Sequence, residues 1–147
     1  MARPLRHQAP GFYHLTQRGV AGEVVYLDDT DRSLFVRLLE KAAHRYRWLL
    51  HAHCLMSNHF HLVVEFREPT MARGMQYLTG QYGLRFNERH DRRGHVFQDR
   101  YRSTVIETEE HLAEALRYVA FNPVRAGLCE RPEDWPWSSY PRHVTSW

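Results

Sequence analysis

The chain has 147 residues, and its 20 Lys+Arg against 17 Asp+Glu give a formal charge of +3. That length suits one domain with its own core, so 1–147 is read as a single domain, and 43% hydrophobic with 25% charged residues excludes a disordered, collagenous or low-complexity chain. No apolar run approaches the roughly 20 residues that cross a bilayer, and Met1 to Arg6 lacks the apolar stretch of a signal peptide, so a cytoplasmic protein with no membrane partner is expected.

In chain order, residues 12–18 alternate and are rich in β-formers before Gly19, which predicts a strand. Residues 28–48 carry Leu34, Leu38, Leu39 and Ala42 at helical spacing behind Asp and Thr capping candidates, which predicts a helix. Residues 49–56 and 60–66 are β-type runs joined by Ser57-Asn58-His59, a hairpin. A glycine-weakened helix over 71–90, a strand over 101–107 and a helix over 109–121 follow, the last stopped at Asn122-Pro123 because a residue before proline is pushed from the helical region. The order βαββαβ plus one helix describes an α+β, ferredoxin-like antiparallel sheet with helices on one face, an additional C-terminal helix, and polar residues on the other face.

The charge is unevenly placed. Nineteen of the 20 cations are Arg, residues 1–18 hold Arg3, Arg6 and Arg18 with no acid, and residues 85–102 hold six Arg against Glu88, Asp91 and Asp99. Planar guanidinium groups suit phosphates and base edges, which points to nucleic acid, although a GC-rich genome gives the same bias and a solvated surface looks the same. Cys54 and Cys129 are too few for a disulfide framework or a zinc knuckle and are read as packing residues.

In the hairpin's second strand, alternation turns Phe60, Leu62, Val64 and Phe66 one way and His59, His61, Val63 and Glu65 the other. A His-x-His pair so placed can hold one metal ion or phosphate, but 11 histidines make about one such pair expected by chance, and His51 with His53 is a second. On the last helix Tyr118 and Asn122 lie on adjacent turns beside the stripe of Leu112, Leu116 and Val119. From spacing alone Tyr118 reads equally as a core-margin residue, and Asn122 as a helix terminator.

Four ordered blocks then add up. Residues 13–19 (YHLTQRG), 56–62 (MSNHFHL), 94–101 (GHVFQDRY) and 117–127 (RYVAFNPVRAG), with the closing 135–140 (WPWSSY), resemble the IS200-like Y1 transposases. The chain looks most like the branch known as REP-associated tyrosine transposases. The resemblance implies an HUH single-stranded DNA endonuclease and strand transferase that cuts near hairpins of repetitive extragenic palindromes through a 5′-phosphotyrosine link. It puts a divalent cation, Mg²⁺ or Mn²⁺, on His59, His61 and Asn122 and makes Tyr118 the nucleophile. It implies single-stranded DNA with hairpins as partner, a nucleoid-associated location, and a monomer or homodimer. Arg3, Arg6, His14, Arg18, Arg92, Arg93, His95, Arg100 and Arg102 are DNA-binding candidates, with His14, Arg18, His95 and Arg100 equally open to structural roles. Two residues depart from the family pattern: Ser57, where proline is usual, and Asp99, where glycine is common. A domesticated hairpin-binding protein that does not cut, and a small metal hydrolase that uses water instead of tyrosine, are the competing readings. Arg142 to Trp147 is a candidate autoinhibitory tail.

Overall fold

A computed structural model describes residues 8–140; Arg3, Arg6 and the 142–147 tail lie outside them. The chain runs β1 (Gly11–Arg18), α1 (Asp29–Tyr46), β2 (Leu49–Leu55), β3 (His59–Phe66), α2 (Met71–His90), β4 (Arg102–Ile106) and α3 (Glu109–Arg125), with short 3₁₀ turns at Val20–Gly22 and Pro132–Asp134. The four strands form one antiparallel sheet in the order β2-β3-β1-β4. That is the expected α+β, ferredoxin-like plan, with each element within a few residues of its predicted bounds.

Helix starts are chemically marked. At α1 the Asp28 carboxylate accepts from the Asp31 backbone N–H at 3.0 Å, satisfying one of the donors a first turn leaves unpaired. The fully buried Asp31 accepts from Leu27 N–H at 2.9 Å and from Arg89 and His90 at the end of α2, so the start of one helix is tied to the end of the other. At α3 Thr108 accepts from the His111 N–H at 3.0 Å.

Alternation along the strands sends Leu15, Phe60, Leu62, Val64 and Phe66 toward α1 and α2, where they meet Phe35, Trp48, Met75, Leu78 and Tyr82 in the main core. The opposite face differs from the expectation of a polar surface. α3 lies across it, and Ala52, Cys54, Met56, Val63, Ile106, Ala115 and Val119 make a second apolar cluster. Polar side chains remain at both ends of that face: His59, His61 and Arg18 at one, and the His51–Glu65 pair at the other. Cys54 packs here, and burial pushes its thiol up to about 12.

A second difference is the end of α3, which continues past Asn122 with Pro123 inside it. Proline removes one helical bond. The helix persists because the Pro123 ring is buried, Ala126 N–H still reaches Asn122 O at 3.0 Å, and Leu128 N–H reaches Pro123 O at 2.9 Å. Burial and these bonds offset the missing one, and Asn122 is a helical residue with its side chain free for other work.

The outer edge of β2 is covered by the segment after α3. Leu55 N–H bonds Trp137 O at 2.8 Å, Ser139 N–H bonds His53 O at 2.9 Å, and the Trp135 indole bonds Leu55 O at 2.9 Å. The closing motif at 135–140 thus protects an edge strand.

Gly74 marks a tight approach between α2 and the α1–β2 connection, since an added Cβ would lie 1.9 Å from the buried Trp48 ring, which Thr70 holds through a 3.0 Å bond. Gly74→Ala is expected to lower unfolding free energy by about 1–3 kcal/mol through overpacking. Gly80→Ala, where nothing lies within 4 Å of the new carbon, is expected to raise it by about 0.5–1 kcal/mol. Urea unfolding of both variants checks the opposite signs; equal destabilisation would contradict the packing.

Candidate functional site

The polar part of the second sheet face is assembled by the β1–β3 register, which sets Thr16 opposite His61 and Arg18 opposite His59. Because alternate residues share a face, His14, Thr16 and Arg18 of β1 stand beside His59 and His61 of β3. α3 then brings Tyr118 and Asn122 over them.

The resulting contacts are short. Asn122 Nδ2 lies 2.8 Å from His61 Nε2, and His61 Nδ1 lies 3.0 Å from His14 Nε2. The His59 and His61 rings are 5.0 Å apart, and the Tyr118 ring sits 5.8 Å from His61 and 5.9 Å from His14. Tyr118 is 48% exposed, so its phenol edge is open to an incoming group. The Arg125 guanidinium lies over the Tyr118 ring at 4.3 Å and donates to the Tyr118 backbone carbonyl. A cation over an aromatic face is a favourable contact, and here it braces the tyrosine from the far side of Pro123.

Outside support fixes His59. Asn58, in the hairpin turn, accepts from His59 Nδ1 at 2.7 Å, which leaves Nε2 with its lone pair available. Asn58 is itself held, its amide donating to Gly22 O at 3.3 Å and its own carbonyl accepting from Gly19 N–H at 2.8 Å. Gly19 is required at this approach: a Cβ there would fall 2.1 Å from Glu23 O. With Ser57 where the family pattern has proline, the hairpin is closed by Met56 N–H to His59 O at 2.9 Å and braced by Val25 N–H to Ser57 O at 3.0 Å.

The electrostatics keep the imidazoles neutral. Burial, then the neighbouring Arg18, lowers His59 to about 4; burial, then His59, His14, Arg18 and Arg125, lowers His61 to about 3. His14 is lowered by burial and by His111. Neutral imidazoles carry the lone pairs that a metal ligand needs.

Among the described residues no three His, Cys, Asp or Glu side chains gather at metal-binding geometry, so a cation at this place would need the Asn122 amide as third donor. The residues fit that role. The donor set fits in kind: two neutral imidazole nitrogens and an amide oxygen suit Mg²⁺ or Mn²⁺, and the Asn122 side chain, whose nitrogen lies 2.8 Å from His61 Nε2, would present its oxygen to the ion by turning about its terminal bond.

A cleft of about 910 Å³ opens onto the site, with His14, Arg18, Arg100, Arg102, His61 and Tyr118 in its walls. Gln17, on the opposite side of β1, donates to Gln98 O at 2.6 Å and so ties the Arg100-bearing segment to the strand. Other sequence candidates fall elsewhere. Arg92 and Arg93 flank a separate depression beside Glu23 and Leu27, and His95 lines a groove under α2. His51 pairs with Glu65 at 3.1 Å, away from the site. Thr16, Glu114 and Arg125 were missed by sequence reasoning. The parity of β1 marks Thr16 with His14 and Arg18, and helical spacing from Tyr118 marks Glu114 four residues before and Arg125 seven after.

The lowered imidazoles imply a pH dependence of stability. Unfolded histidines take up protons near pH 6.5 while His61 and His59 in the folded state do not until about 3 and 4. The unfolded state therefore binds more protons below 6.5; this stabilisation is complete above that pH and is lost as pH falls toward 3. The expected loss approaches about 1.4 kcal/mol per pH unit for buried His61 and is less for the partly exposed His59. Urea unfolding between pH 7.5 and 4.5 checks it, with His61→Gln giving a flatter curve; an equally flat wild-type curve would contradict burial as the cause.

Comparison with known proteins places this geometry in a family. A Haemophilus influenzae protein named as a REP-associated tyrosine transposase is 29% identical over 102 residues, a match covering 62% of this chain and 58% of that protein, so the chain spans less than two thirds of the relative. The solved structure of a REP-associated tyrosine transposase bound to a REP hairpin superposes with a TM-score of 0.81 at 17% identity, covering 99% of this chain and 86% of that one. A Deinococcus radiodurans structure named as a transposase gives 0.55 at 17% identity, over 81% of this chain and 95% of that one. At such identities these two show a shared fold. The family model described as "Transposase IS200 like" matches residues 13–122, which include both histidines, Tyr118 and Asn122, and the chain belongs to the IS200-like transposase family.

Proposed function

We propose that the protein is a single-stranded DNA endonuclease and strand transferase that acts beside DNA hairpins through a covalent tyrosine intermediate. The observation that carries the reading is the convergence of α3 on β3: the Asn122 amide 2.8 Å from His61 Nε2, with the exposed Tyr118 ring 5.8 Å from the same imidazole. Membership in a transposase family, and likeness to a structure bound to a REP hairpin, support the DNA partner.

In this reading the Tyr118 oxygen attacks the scissile phosphorus in line with the 3′ oxygen. A P–O bond to Tyr118 forms as the P–O3′ bond breaks, and the proton lost by the phenol is matched by one gained at the leaving 3′ oxygen. The products are a 5′-phosphotyrosine and a free 3′-hydroxyl. Because the phosphoester is conserved, the same step run backwards with another 3′-hydroxyl joins strands without a nucleotide cofactor.

His59, His61 and Asn122 would hold Mg²⁺ or Mn²⁺, which when bound withdraws charge from the phosphate and orients it. Arg18, Arg100 and Arg102 give the cleft the positive charge that an anionic strand requires. Arg125 holds the tyrosine turned toward the imidazoles. Among the described residues no helix is long and apolar enough to cross a membrane, and the reading places the protein in the cytoplasm with nucleoid DNA, as a monomer or homodimer.

Incubation with a labelled single-stranded hairpin from the protein's genomic neighbourhood and Mn²⁺ or Mg²⁺ tests the reading on a denaturing protein gel. The expected result is a metal-dependent shifted band, lost at least 1,000-fold in Tyr118→Phe and in His59→Ala, while Tyr118→Phe still binds the hairpin. Cleavage that survives Tyr118→Phe would favour a water-using hydrolase, and tight binding without any adduct would favour a hairpin-binding protein; either overturns the proposal.

A further inference from the structure

We propose that His14 is the positioning residue of His61: it accepts the His61 Nδ1 proton and so keeps the other ring nitrogen, Nε2, unprotonated and aimed at the cation site. The inference rests on the metal reading given above and adds a residue to it from the second strand. A neutral imidazole has one N–H and one lone pair, so the state of one nitrogen dictates the other.

Both His61 nitrogens are engaged in the fold. Nε2 faces the Asn122 amide nitrogen at 2.8 Å, and Nδ1 faces His14 Nε2 at 3.0 Å. Donation from Asn122 Nδ2 requires the lone pair on His61 Nε2, which places the ring proton on Nδ1, where His14 Nε2 receives it. The array reverses if the Asn122 carbonyl faces the ring. The proton then sits on His61 Nε2, and the nitrogen that should bind a cation is blocked.

Burial makes Nδ1 depend on this contact. His61 is 5% exposed, so no bulk water competes for Nδ1, and a lost His14 would leave a buried N–H without its partner. His14 also reaches His61 diagonally across the β1–β3 pair, where the facing partners are Thr16 with His61 and His14 with Val63. The two rings lie 5.2 Å apart with a 30° tilt, close enough for a ring nitrogen to reach but not to stack. His59 has the same arrangement through a different group, its Nδ1 donating to Asn58 Oδ1 at 2.7 Å. Each proposed ligand histidine thus has an acceptor on Nδ1, in the manner of the outer partners that orient metal-bound imidazoles.

Two measurements on the full chain decide it. Nitrogen-resolved NMR of the metal-free protein reads the His61 tautomer, and titration with Mn²⁺ alone, followed by EPR, reads affinity for wild type, His14→Phe and His14→Gln. The expected results are the Nδ1–H tautomer in the wild type and an Mn²⁺ dissociation constant raised about 10–100-fold in His14→Phe. His14→Gln, which offers a carbonyl acceptor, is expected to recover most of the loss. An Nε2–H tautomer in the wild type overturns the proposal even if His14→Phe fails to fold, and so does Mn²⁺ affinity in folded His14→Phe within about twofold of wild type. A wild-type protein that binds no Mn²⁺ contradicts the metal reading itself and takes this proposal with it, which is distinguishable from equal binding by wild type and variant.

Discussion

The antiparallel pairing of β1 with β3 is the constraint on which the site depends. With Thr16 fixed opposite His61 and Arg18 opposite His59, every second residue of two central strands is committed to one face. A slip of β3 by one residue would turn Phe60 and Leu62 toward α3 and the imidazoles into the main core, so the large apolar burial on the α1/α2 side enforces the register. The site inherits its precision from core packing on the other side of the same strands. Asn58 and Gly19 extend that control to the hairpin turn, where a backbone approach too close for any side chain holds the acceptor of His59.

α3 completes the arrangement by doing two jobs. Its Ala115 and Val119 seal the second apolar cluster over Val63 and Ile106, which anchors the helix. Its adjacent face then carries Tyr118 and Asn122 to the polar end of the sheet, at distances fixed by where the helix docks. Pro123 deprives the last turn of one bond, and Arg125 reaches back across that place to Tyr118. The nucleophile proposed for the reaction is therefore held by a brace from its own helix, whereas the imidazoles proposed as metal ligands are held by the sheet.

Much of this was legible from local pattern. Alternation in β3 separated Phe60, Leu62 and Val64 from His59 and His61, because a half-buried strand has a period of two, and the bounds of α2 were read correctly. The family resemblance, carried by four blocks, named Tyr118 and Asn122, which helical spacing alone left as a core-margin residue and a terminator. The misses have physical reasons. Asn122-Pro123 reads as a stop because local sterics disfavour helix there, and only tertiary burial of Pro123 overrides them. The apolar second face was hidden because Ala52, Cys54, Val63 and Ile106 are scattered over three strands and cohere only when α3 lies on them. Arg92, Arg93 and His95 share a basic stretch with Arg100 and Arg102 but line depressions of their own, because the chain bends between them, and stay candidates for DNA contact outside the cleft.

The central claim is that α3 delivers the nucleophile, and peptide mapping of the reaction product tests it most directly. Trypsin would release Tyr118 to Arg125 as one peptide. After reaction with a hairpin strand and nuclease trimming, mass spectrometry should find that peptide carrying a nucleotide through a 5′-phosphate on Tyr118. A nucleotide on another residue, or cleaved DNA with the peptide unmodified throughout the reaction, would contradict the account.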